Sequence, residues 1–138
     1  MSTAPMTDDT THTGGCICGG IRYAIRGPMR PVIYCHCDQC RKTSGNFVAA
    51  SECEKKALTF ISDDTLTWYQ SSDAARRGFC SICGGNLFWD RDGDDKMSIF
   101  AGTLDAPTGL AAESHIFVAD KSDFLTIGDG LPQHDRWY

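Results

Sequence analysis

Apolar and polar residues alternate over short windows along most of this chain. Ile21, Tyr23 and Ile25 alternate with Arg22, Ala24 and Arg26, the period of a half-exposed strand, and Gly27-Pro28 stops the run. Residues 32–35 form a short apolar strand and residues 47–51 another. Residues 58–61, 66–70, 78–80, 87–89, 97–101 and 115–118 read the same way. Between them fall Asp63-Asp64, Ser71-Ser72-Asp73 and Gly84-Gly85 as turns. The acidic run at 90–95 has the composition of a calcium loop but lacks the distal Glu of that motif, so it reads as a hairpin turn. No long segment carries the helical period. Residues 38–44 are expected to form one helical turn, ended by Gly45. The pattern predicts an all-β domain over residues 14–138. Residues 1–13, rich in Ser, Thr and Asp and without periodicity, read as a disordered tail in which His12 has no role.

With 138 residues the chain accommodates one domain, large enough for a core yet helped by cross-links. The net charge of −5 is uneven: residues 22–77 carry nine Lys and Arg against six Asp and Glu, and residues 78–138 carry four against ten. That balance argues against nucleic acid, which needs a broad basic face, while the basic part could hold a small anion or merely be solvated. No apolar run approaches the roughly 18 to 20 residues of a membrane span, and no signal-peptide pattern opens the sequence, so a cytoplasmic setting is expected.

Eight cysteines change the picture, because in a reducing compartment thiols ligate metal rather than pair. Cys35, Cys37 and Cys40 stand at C-x-C-x-x-C spacing. On an extended strand Cys35 and Cys37 would point to one face, and the following turn would bring Cys40 round to them. Cys16 and Cys18 with Cys80 and Cys83 make a complete set of four thiol ligands, the closed form of a structural zinc tying distant segments together. The trio then lacks a fourth ligand, which is the form of a catalytic site. Cys53 is near enough in sequence to complete it, but its isolation in an alternating stretch reads as a buried free thiol. Arg41 and Lys42, following the trio, could offset its negative charge and draw an anionic thiol. His36 should face away from the ligands as a packing or supporting residue rather than a general base. Asp38 and Gln39 could accept a proton from a bound adduct, and Ser44 and Asn46 could hydrogen-bond it.

Four stretches, Gly14-Gly15-Cys16-Ile17-Cys18-Gly19, the run from Cys35 through Gly45, the run from Arg77 through Phe88, and Ala101-Gly102-Thr103-Leu104-Asp105, resemble the glutathione-dependent formaldehyde-activating enzyme family, also called centromere protein V-like. His115 to Val118 and Lys121 resemble its late segment, with Phe124 where a Trp is common. The resemblance implies an Mss4-like β-tent with a structural zinc on Cys16, Cys18, Cys80 and Cys83 and a catalytic zinc on Cys35, Cys37 and Cys40. The activity it implies is carbon–sulfur lyase chemistry on a thiol such as glutathione and an aldehyde. A thiol entering the open position would lose its proton and add to the aldehyde carbon. Two other classes stay open, a partner-binding zinc scaffold on the same fold and a redox or iron–sulfur protein on the same thiols. Oligomeric state is left open.

Overall fold

The structure, a computed structural model, describes residues 9–137. A small sheet is built from β1 (Thr11–Gly15), β2 (Arg22–Arg26) and β5 (Leu58–Ser62), in the order β1-β2-β5 with antiparallel neighbours. A larger, seven-stranded sheet takes β3 (Val32–Cys35), β4 (Val48–Glu54), β6 (Leu66–Gln70), β7 (Ala75–Cys80), β8 (Asn86–Arg91), β9 (Lys96–Phe100) and β10 (Ala112–Ile116). Its order is β10-β3-β4-β9-β8-β7-β6, antiparallel throughout except where β10 runs parallel to β3. The one helix among the described residues, α1 (Asp38–Ser44), links β3 to β4.

The alternation of β2 explains the core. Ile21, Tyr23 and Ile25 are all fully buried and pack toward Leu87, Phe88, Met97 and Ile99 of the large sheet, with Tyr23 edge-on to Phe88 at 5.4 Å between ring centroids. Phe60 of β5 meets the same ring at 5.7 Å. A fully buried Phe side chain contributes about 2 to 3 kcal/mol from apolar burial, so Phe88 is the hub of the contact between the sheets. Cys53 lies in this core, 1% exposed and not disulfide-bonded, with its thiol pushed up to about 12 by burial.

The other face of the large sheet follows from register. Residues directly opposite each other in an antiparallel ladder share a face. One row therefore runs Ile33–Ala50–Phe100 and a second Ser98–Trp89–Arg77, both on the side away from Ile99 and Phe88. This second face is where the site lies.

The expected tail over residues 1–13 needs correction. Thr11–Gly15 is a strand paired with β2, and His12 is 7% exposed, its Nε2 2.8 Å from the Thr108 carbonyl oxygen. Residues 1–8 of that expected tail lie outside the described residues.

Candidate functional site

β3 ends at Cys35 and the chain turns directly into α1. Cys37 does not lie on the strand where it was expected but caps the helix: its Sγ accepts from the Cys40 backbone N–H at 3.3 Å. That bond turns the C-x-x-C segment back on itself and sets Cys40 on the buried side of α1. Gly45, at φ 90, closes the helix by donating its N–H to the Arg41 carbonyl at 2.9 Å, the left-handed cap that glycine allows. The three sulfurs end within 4.8 Å of one another.

Such crowding makes the thiols share charge. Hydrogen bonds from Cys35, then Cys40, push the Cys37 thiol far down, while its bond to Cys37 foremost pushes Cys35 up. Arg77 adds a cation. This 6%-exposed side chain reaches Cys40 Sγ from its Nη2 at 3.5 Å, and its Nε and Nη2 both donate to Gln39 Oε1, at 3.1 and 2.9 Å. Gln39 in turn donates from Nε2 to the Ser71 carbonyl at 2.9 Å, fixing the pair between α1 and β7.

The trio opens onto a cavity of about 220 Å³ on the second face of the large sheet. Ile33, Val48, Ala50, Trp89 and Phe100 supply its floor, Phe117 and Trp137 part of its wall, and Arg30, Gln39, Arg77 and Ser98 its polar groups. Arg41 and Lys42, expected to draw an anion, are not among the lining residues. Arg41 is held by Asp38 at 2.6 Å and the Asp120 carbonyl at 3.0 Å, and Lys42 is exposed. Arg30 and Arg77 occupy the place expected for them. Asp38, Ser44 and Asn46 also lie outside the lining, and Ser44 bonds the Cys40 and Phe47 carbonyls instead. The sequence offered a signal for one missed residue: Phe100 falls out of phase with Met97 and Ile99, the core positions of its strand, yet is apolar.

His36 is fully buried on the far side of the trio. Its Nε2 lies 2.7 Å from His115 Nδ1, and His115 Nε2 lies 2.7 Å from Asp129 Oδ2. Burial first, and His115 next, holds His36 below the ordinary histidine range, so it is a neutral link between the segment bearing the trio and the C-terminal segment.

Cys16, Cys18, Cys80 and Cys83 make the second cluster, their sulfurs also within 4.8 Å of one another. Cys16 and Cys18 come from the turn between β1 and β2, Cys80 and Cys83 from the end of β7 and the turn after it. Backbone N–H groups point at the sulfurs: Ile21 at Cys16 (3.3 Å), Ile82 and Cys83 at Cys80 (3.4 and 3.3 Å). Cys80 is lowered to about 5, first by the Cys83 amide and then by the Thr65 hydroxyl. Converging thiols whose lone pairs face amide donors suit a soft, thiolate-binding metal ion, and both clusters could hold one.

Fold and clusters together define a small all-β domain with two all-cysteine sites, one at the junction of its sheets and one at the mouth of an apolar cavity. The model of the family "Glutathione-dependent formaldehyde-activating enzyme" matches residues 11–120, and the chain belongs to that family. It is 26% identical over 114 residues to a Schizosaccharomyces pombe protein named as an uncharacterized lyase, a match covering 81% of this chain and 82% of that one. A crystal structure of a Rhodobacter sphaeroides protein superposes with a TM-score of 0.56 at 22% identity, over 68% of this chain and 88% of that one, and shares the fold. Among the described residues no helix is long and apolar enough to cross a membrane.

Proposed function

We propose that this chain is a carbon–sulfur lyase that joins and separates a thiol and an aldehyde at Cys35, Cys37 and Cys40. On this reading the trio holds a catalytic zinc ion, and Cys16, Cys18, Cys80 and Cys83 hold a structural one. The observation that carries the proposal is the convergence of three thiols within 4.8 Å at an apolar cavity, with no fourth cysteine among them. Family membership and the name of the fission yeast relative support it. Glutathione, named by the family, is the thiol we assign, and a reducing cytoplasm the setting, in keeping with eight free cysteines.

A zinc ion held by Cys35, Cys37 and Cys40 would supply Lewis-acid chemistry there, favouring the thiolate form of a substrate thiol. Arg77 does the complementary work: its guanidinium against Cys40 offsets the negative charge that the thiolates accumulate, and Gln39 keeps it aimed. The apolar floor limits water, which strengthens these charge interactions. In the joining direction a bond forms between sulfur and the aldehyde carbon, and the carbonyl oxygen takes up a proton. In the separating direction the hydroxyl loses its proton, the carbonyl reforms, and sulfur leaves with the electron pair of the broken bond. Arg30, Arg77, Gln39 and Ser98 are the lining groups able to hydrogen-bond that oxygen.

The test is elemental analysis of reduced protein together with exchange NMR between free glutathione and its formaldehyde adduct. Two zinc ions per chain and exchange faster than in buffer are expected. Zinc-replete protein that accelerates no thiol–aldehyde exchange would overturn the reading.

A further inference from the structure

The cavity wall contains an element that the thiol chemistry does not use. After β10 the chain enters a left-handed conformation at Phe117 (φ 55, ψ 39), unfavourable for a bulky L-residue. The following chain turns away and returns along β10. His115 N–H donates to the Pro132 carbonyl at 2.9 Å, His134 N–H to His115 at 2.9 Å, Phe117 N–H to Arg136 at 2.8 Å, and Val118 N–H to His134 at 3.0 Å. Asp129 pins the start of this strap to His115. The result places Trp137 edge-on to Phe117, ring centroids 4.9 Å apart, at the cavity.

Two features mark this pair as a recognition surface. Trp137 remains 66% exposed despite lining the cavity, so most of its indole is uncovered, and a strained Phe117 backbone is retained beside it. Trp137 also comes from outside the stretch matched by the family model, residues 11–120. Trp89 and Phe100 line the same cavity. A bare hydroxymethyl group would leave these four aromatic rings without contact. The charged ends and amides of a peptide thiol fit guanidinium groups or solvent, not aromatic walls.

Resting on the carbon–sulfur reading above, we propose that Trp137 and Phe117 determine specificity, and that the physiological adduct carries an apolar, planar group on its aldehyde side. The ring lies among Trp89, Phe100, Phe117 and Trp137, and the thiol's polar body stays toward the mouth. The enzyme is thus directed at adducts of arylalkyl aldehydes rather than of formaldehyde. The step keeps the same balance: the carbon–sulfur bond breaks, the hydroxyl proton leaves, and an aldehyde bearing the ring is released with the thiolate.

Stable thioethers separate binding from turnover. S-(2-phenylethyl)glutathione stands in for the phenylacetaldehyde adduct without its hydroxyl, and S-methylglutathione for the formaldehyde adduct. Titration calorimetry on the full chain should show the first binding at least about tenfold more tightly, the gain expected from burying one ring. Trp137→Ala should bring the ratio toward one, and Trp137→Phe should keep most of it, with unchanged melting temperatures. Equal affinities, tighter binding of S-methylglutathione, or a ratio untouched by Trp137→Ala would overturn the proposal. Exchange NMR fixes the side on which the ring sits. Faster exchange for 2-phenylethanethiol with formaldehyde than for glutathione with phenylacetaldehyde would place it on the thiol and overturn the assignment. Efficient exchange of the formaldehyde adduct with no preference for the ring would sink this inference alone, whereas no exchange with any pair would sink the lyase reading beneath it.

Discussion

Asp90 shows how single residues hold the sheet that carries the site. Its side chain is 9% exposed and shared between Lys55 at 2.7 Å and Arg76 at 2.9 Å, and Arg76 lies 3.9 Å over the Trp68 ring. Burial alone would raise this carboxyl, but the two cations outweigh it and hold it below the usual aspartate value. The folded state therefore binds its proton at lower pH than the unfolded state, and the pair's stabilisation is full at neutral pH and lost as pH falls below about 4. Asp90→Asn should cost about 2 kcal/mol at pH 7, the scale of hydrogen bonds to charged groups, and the gap in urea midpoint from wild type should close on acidification. A gap that does not narrow at all as pH falls from 7 to 3 would contradict the assignment. At this scale the cysteines were legible because ligand spacing is local. Arg77 was not, since what places it against Cys40 is its ladder position opposite Trp89, which sequence spacing does not encode.

Among the elements, β1 is the instructive case. Its buried positions are His12 and Gly14, neither apolar, so period-2 hydrophobicity could not reveal it. Gly14 is required by space: a Cβ there would stand 2.5 Å from both the Thr103 carbonyl oxygen and the Tyr23 hydroxyl. Gly14→Ala must push β1 away from Tyr23 and should destabilise the fold by about 1 to 3 kcal/mol, measured as a lower urea midpoint. An unchanged midpoint would mean that β1 yields freely. The alternating strands, by contrast, were readable, and β6 spans the expected residues. β10 begins at Ala112 and stops at Ile116 because Phe117 leaves extended backbone, which side-chain pattern does not report. The cap of α1 was visible in Gly45.

For the whole molecule, on the proposed reading, the two clusters divide the labour between fold and chemistry. Cys80 joins segments more than sixty residues apart, from β7 to the turn before β2, next to the core. The C-terminal strap escaped prediction because backbone hydrogen bonds to β10, rather than an apolar period, hold it. A structural zinc contributes on the order of 10 kcal/mol of apparent binding free energy, comparable with the stability of a domain, so Cys80→Ser should unfold or aggregate the chain. The trio is held by one strand end and one helical cap. The most direct test is the rate of thiol–aldehyde exchange in Cys37→Ser, read beside its melting temperature and those of wild type and Cys80→Ser. The account predicts a folded Cys37→Ser protein whose acceleration of exchange falls by about a hundredfold or more. A Cys37→Ser protein that melts as low as Cys80→Ser, or that exchanges as fast as wild type, would contradict it.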